Sequence, residues 1–203
     1  MMTGSIATEA TPLLRFNGPE VSPAAIVQGL LRVCFPDALT VLDLTIGAGC
    51  FWRGAAVFVT ASTADFRHLD IADQTYDVAA IDPPHLGDLG ANSVMRKRYG
   101  TYVAADLEQV FRQGCREAMR VARLGVIVKV TDHVHGQKFV CETAWVLEEL
   151  GTPFEMVHGQ HDPLVFPGWQ DPPLSARNNG STYLAFRRGT QRHVRRSPSK
   201  VAV

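Results

Sequence analysis

Asp82-Pro83-Pro84-His85 closes an apolar run, Tyr76-Asp77-Val78-Ala79-Ala80-Ile81. The run reads as a buried strand, stopped by two prolines that have no N–H to give a sheet ladder. In an open α/β sheet, ligands bind beyond the carboxyl ends of the strands. These four residues supply a carboxylate acceptor, a carbonyl held by the rigid Pro-Pro, and a flat ring. Such groups can hold a planar amine such as a nucleobase. The same residues also make a plain strand-to-loop turn, because Asp-Pro starts turns and Pro-Pro stiffens loops.

A second motif precedes it, Thr40-Val41-Leu42-Asp43-Leu44-Thr45-Ile46-Gly47-Ala48-Gly49-Cys50-Phe51-Trp52. Val41 to Leu44 reads as a buried strand, and Gly47 and Gly49 allow a tight turn and close backbone approach to a ligand. The dinucleotide fingerprint Gly-x-Gly-x-x-Gly fails because position 52 is Trp, and no Gly-Lys-Ser/Thr follows for a phosphate loop. A strand, an Asp and a Gly-x-Gly followed by aromatics suit a nucleoside-containing ligand without a pyrophosphate.

In order and spacing, the two motifs resemble the class I S-adenosylmethionine-dependent methyltransferases. The nearest branch is the one that methylates exocyclic amines of DNA bases and carries Asp-Pro-Pro-aromatic. The similarity covers residues 38–188. It implies an α/β fold with a Rossmann-like, doubly wound, mostly parallel seven-stranded sheet in a single domain, and S-adenosylmethionine as cofactor. By resemblance, Asp82 and the Pro83 carbonyl accept the two amine hydrogens, Pro84 stiffens the turn, and His85 stacks on the base. His stands where many of these enzymes have Tyr, Phe or Trp. It is smaller and titrates near neutrality. Asp43, Leu44, Thr45, Gly47 and Gly49 fall at the methionine end of the cofactor. Phe51 and Trp52 either face its sulfonium or adenine, where cation–π attraction is available, or lie in the core beneath the loop. The acid that commonly ends strand two is absent around Thr60-Ala61-Ser62. Ser62 remains as a weak partner for the ribose, while Asp65 and Phe66 match the residues that meet the adenine.

Around these motifs, the chain reads as an irregular segment 1–15, a catalytic domain 16–188 and a basic tail 189–203. Ser22 caps a helix over 23–31, opened by Pro23. Strands are expected at 40–45, 57–60, 76–82, 125–131, 154–158 and 181–187, with a further short piece at 66–69. Apolar spacing predicts helices over 102–122 and 137–150, the second closed by Gly151. Strands alternating with helices argue for a doubly wound sheet. Lys129 to Asp132, at the end of the 125–131 strand, adjoins the Asp82 strand and can line the substrate side.

Hydrophobic residues make up 46% of the 203, enough for one sizeable core. No apolar run reaches about eighteen residues, so no membrane span is expected. The N-terminus lacks a basic region followed by an apolar core. Four widely spaced cysteines read as reduced thiols of a cytoplasmic protein. His133-Val134-His135 has no Cys partner at metal spacing, and no metal is expected. Net charge is zero, but after Asp171 there are seven basic residues and no acid. That excess is either a solvated tail or an arm for phosphates.

Nucleic acid, DNA ahead of RNA, is the expected partner. Arg96, Lys97, Arg98 and Tyr99 in loop 86–101 and Trp169, Arg177, Asn178 and Asn179 in loop 168–180 are the candidate contacts, with Trp169 alternatively covering the sheet edge. No room remains for a recognition domain, so specificity comes from these loops or from a protein partner, or is relaxed. An RNA base is the second reading and a protein or small-molecule amine the third. A catalytically inactive scaffold of the same fold is the competing class.

Overall fold

A computed structural model describes residues 22–47, 49–85, 87, 88, 90–92, 96, 102–135, 138–160 and 180–189. Its main elements are α1 (Pro23–Cys34), β1 (Thr40–Asp43), β2 (Phe58–Ala61), β3 (Tyr76–Ile81), α2 (Leu107–Val121), β4 (Ala122–Val130), β5 (His133–His135), β6 (Lys138–Val140), α3 (Glu142–Leu150), β7 (Glu155–Gln160) and β8 (Gly180–Arg187). Short 3-10 turns lie at Cys50–Trp52 and Ala104–Asp106.

The main sheet has strand order β2-β1-β3-β4-β8-β7. β2, β1, β3 and β4 pair in parallel, and β8 runs antiparallel between β4 and β7. From β1 the chain goes first to β2 on one side and then to β3 on the other. The β1–β3 boundary is therefore the topological switch point, where open α/β sheets form their ligand crevice.

Alternation along each strand divides the core in two. Leu42, Ala79, Ile81, Val126, Val128, Leu184 and Phe186 face α2 and α3, against Val110, Phe111, Ala118 and Val146. Val41, Val78, Ala80, Ile127, Tyr183 and Ala185 face α1, against Ile26, Val27, Leu30 and Leu31. Each large side chain so buried contributes about 1.5–3 kcal/mol over its exposed state. At Gly125 in β4 the neighbouring chain comes so close that a Cβ would lie 2.0 Å from the Phe186 carbonyl oxygen.

Four sequence expectations are corrected. Six strands form the main sheet among the described residues, not seven, because 66–69 is a turn. Its Asp65 carboxylate accepts the Arg67 N–H and its backbone carbonyl accepts the His68 N–H. The helix expected over 137–150 begins only at Glu142, since residues 138–140 pair with 133–135 as a hairpin. The end of the 102–122 helix is strand, β4 starting at Ala122. Arg187 and Arg188, counted with the basic tail, are structural. Arg187 lies 3.7 Å over the Phe154 ring and donates to the Cys34 carbonyl. Arg188 donates to the Met119 and Ala122 carbonyls at the end of α2, the negative end of the helix dipole.

Among the described residues no helix is long and apolar enough to cross a membrane. The four cysteines are free thiols; burial pushes Cys34 up to about 11 and Cys115 to about 12, so both stay protonated. Lys97, Arg98, Tyr99, Trp169, Arg177, Asn178 and Asn179 lie outside the described residues, as do segments 1–15 and 190–203.

Candidate active site

The ends of β1 and β3 are stitched together. The Leu44 N–H donates to the Ala80 carbonyl (2.9 Å), and the Asp82 N–H donates to Thr45 Oγ1 (2.7 Å). The two sequence motifs thus meet at the switch point, joined through the hydroxyl of Thr45. After Thr45 the chain turns with φ of 48° at Gly47 and 67° at Gly49, left-handed values that glycine adopts without strain.

Asp43, 2% exposed, anchors this turn. Its Oδ1 accepts the Thr45 N–H (2.9 Å) and its Oδ2 accepts Trp52 Nε1–H (2.6 Å). Burial raises its pKa more strongly than these hydrogen bonds lower it, and the Asp82 charge adds to the rise. Trp52 and Phe51 pack on the α1-side core, with Phe51 edge-on to Tyr183. The Ser62 hydroxyl accepts from the Ala64 N–H, and Asp65 holds Arg67 by a two-point ion pair. Phe66 is a core residue, 6% exposed beneath Tyr102, and not an exposed stacking ring. Leu44 is buried, and Arg96 is exposed.

At the β3 end, Asp82 meets two cationic side chains. Lys129 Nζ, from β4, donates to both carboxylate oxygens at 2.9 Å, and His85 Nε2 lies 2.9 Å from Oδ1. The other ring nitrogen, Nδ1, lies 2.7 Å from Glu142 Oε2. An imidazole facing a carboxylate at each nitrogen needs a proton on both, so His85 is an imidazolium. Burial alone would lower its pKa, but the bonds to Asp82 and Glu142 outweigh that and raise it to about 9. Burial likewise pushes Asp82 up, and the His85 bond with the Lys129 charge overrides it, holding the carboxyl at about 2. Pro83 is buried and Pro84 half-buried, which fixes the turn that carries His85.

Thr131 falls in the 129–132 stretch expected on the substrate side, whereas Glu142 was not foreseen as a site residue. Glu142 is fully buried at the first turn of α3, and its Oε2 also accepts the Thr131 N–H at 2.7 Å. Asp132 caps that helix by accepting the Thr143 N–H (2.9 Å), and ion pairs from Arg112 to Glu148 and Arg116 to Glu149 brace α3 against α2. Among the described residues, Glu142 Oε1 has no hydrogen-bond partner, with His133 Nδ1 3.6 Å away. His133 itself donates to the Thr131 carbonyl. The sequence signal for Lys129 was a lone cation in the apolar run Gly125–Val130. Glu142 had none, since an acid in a first helical turn is ordinarily a surface residue matched to the dipole.

No protein-family model matches this sequence, and no curated protein is similar enough to match. Solved structures show a looser likeness. Magnesium protoporphyrin IX methyltransferase from Synechocystis PCC 6803, with bound SAH, is 12% identical, with 82% of this chain and 81% of that one covered and a TM-score of 0.47. The 1,6-didemethyltoxoflavin-N1-methyltransferase of Burkholderia thailandensis is 11% identical, covering 81% and 77%, with a TM-score of 0.42. The 4+2 cyclase SpnF is 14% identical, covering 66% of this chain and 60% of its own, with a TM-score of 0.39. The chain likewise spans only 62% of a protein of an antibiotic biosynthesis pathway in Anabaena variabilis ATCC 29413.

Proposed function

We propose that the chain is an S-adenosylmethionine-dependent methyltransferase whose acceptor is an exocyclic amine of a nucleobase in nucleic acid, DNA ahead of RNA. The observation that carries this reading is the Thr45 hydroxyl joining the Gly47–Gly49 turn to the Asp82-Pro83-Pro84 turn across the switch point. The left-handed glycine turn fits a nucleoside-containing cofactor, since backbone without Cβ atoms can approach it closely. When bound, the cofactor supplies an electrophilic methyl group on a sulfonium.

The chain's own residues supply position and hydrogen-bond acceptors. An exocyclic amine is a poor nucleophile because its lone pair is delocalised into the ring. The Asp82 carboxylate and the Pro83 carbonyl accept its two hydrogens and turn the lone pair toward the methyl carbon. With the cofactor bound, the methyl group would pass to this nitrogen with the thioether as leaving group, and Asp82 and solvent would take the one proton the nitrogen gives up. Alignment of this kind supplies several kcal/mol of the barrier, within the roughly 7–11 kcal/mol available from positioning. Loops 86–101 and 168–180, the tail 189–203 and a specificity-conferring protein partner complete the proposal for target choice.

Calorimetry of the full chain with S-adenosylmethionine, followed by tritiated-methyl transfer into DNA, RNA and small-molecule amine pools, tests the reading. We expect binding in the micromolar range and label in DNA. No heat of binding at up to about 500 µM cofactor would leave the inactive-scaffold alternative instead.

A further inference from the structure

We propose that Glu142 is the positioning residue of the acceptor site. By taking one N–H of His85, it fixes the ring as a double donor whose other N–H holds Asp82 Oδ1, and so leaves Asp82 Oδ2 for the acceptor amine. The inference rests on the methyl-transfer reading for the word acceptor, but the clamp itself is independent of it.

The geometry is asymmetric. Among the described residues, Asp82 Oδ1 takes two donors, His85 Nε2 and Lys129 Nζ, whereas Oδ2 takes Lys129 alone. A carboxylate oxygen accepts about two hydrogen bonds. Oδ1 is therefore filled and Oδ2 retains capacity for an N–H. A His85 ring free to rotate would give up that distinction, and what stops it is Glu142. Glu142 is 0% exposed, its Oε2 is shared between His85 Nδ1 and the Thr131 N–H, and it is rooted in the capped first turn of α3.

Among the described residues, the charged and titratable groups around His85 and its two carboxylates come from five elements. Asp82 stands at the β3 end, Lys129 and the neighbouring Asp132 at the β4 end, His133 in β5, Glu142 in α3 and Tyr183 in β8; Asp43 acts through Asp82. From the α2 side the Phe111 ring lies 6.2 Å from the imidazole. The two carboxylates in direct contact favour the imidazolium. Glu142 is thus the partner whose removal changes the ring without touching Asp82.

The test is histidine side-chain NMR of the full-length protein, parent and Glu142→Gln, followed through pH 5 to 10, with the pH profile of methyl transfer beside it. The parent His85 should stay doubly protonated well above neutrality. In Glu142→Gln the amide oxygen, in the place of Oε2, can still accept from both the Thr131 N–H and His85 Nδ1–H, but the negative charge that favours a proton on Nδ1 is gone. The ring should then titrate at least about one unit lower. The kcat–pH profile should move by the same amount, with kcat down about two-fold at pH 8 and about ten-fold at pH 10, and cofactor Kd within about two-fold of the parent. A parent ring that titrates at its ordinary value of 6.5 overturns the clamp with no variant needed. A shifted ring with an unmoved pH profile overturns the positioning role. A doubly protonated His85 in a protein that transfers no methyl group to any acceptor counts against the function and not against the clamp.

Discussion

Asp43 and Asp82 end adjacent parallel strands, yet the protein treats their carboxylates in opposite ways. Asp43 is buried and held by neutral donors, the Thr45 N–H and the Trp52 indole, and its pKa is raised. Asp82 keeps 26% of its side chain exposed, is held by Lys129 and His85, and its carboxyl lies at about 2. Neutral donors satisfy a buried carboxylate without offsetting its charge, whereas cationic side chains keep it ionised and able to accept. The first arrangement shapes a loop. The second preserves an acceptor at the mouth of the crevice.

The largest expected effect on stability comes from the structural partner. Asp43→Ala leaves the Trp52 Nε1–H and the Thr45 N–H without their acceptor. It should cost about 2–6 kcal/mol, from roughly 1–3 kcal/mol for each of the two buried donors left unpaired, measured by urea denaturation. A loss below about 1 kcal/mol would erase the contrast between the two residues.

A pH titration of stability comes next and separates the two sites further. His85 is raised from 6.5 to about 9, so its contribution is full below 6.5 and is lost as pH rises through about 9. Asp82 is lowered from 3.8 to about 2, so its contribution is present above 3.8 and is lost as pH falls through about 2. The cluster should therefore stabilise most between pH 3.8 and 6.5. His85→Ala should flatten the alkaline limb, and an unchanged limb would place the titrating group elsewhere.

The smallest effect should come from Asp65→Ala. That ion pair with Arg67 is solvent-exposed, and such pairs contribute about 0–1 kcal/mol. A thermal shift near zero is expected. A weaker cofactor affinity in the same variant would place Asp65 at the cofactor as well as at Arg67.

What the sequence revealed and what it hid follow from range. The Asp82 turn and the Gly47–Gly49 turn were legible because prolines and glycines dictate local backbone. The buried strands were legible because their apolar runs are continuous. The partners of His85 were not. Glu142 lies 57 residues away and becomes a buried neighbour only once the 133–140 hairpin and the α2–α3 ion pairs place α3. An aromatic-like ring after Asp-Pro-Pro suggested stacking, and nothing local announced that both its nitrogens face carboxylates. Arg187 and Arg188 misled for the same reason. Counted by charge they belong to a tail, while by hydrogen bonding they fasten β8 to α1 and to the end of α2.

The most direct test of the account measures cofactor affinity and tritiated-methyl transfer in Asp82→Asn and in the parent protein. The substitution keeps the shape and removes the charge. Cofactor Kd should stay within about two-fold, while transfer falls at least about 100-fold, the lower bound for losing a positioned acid–base group. Transfer at the parental rate in Asp82→Asn would contradict the role given to this carboxylate.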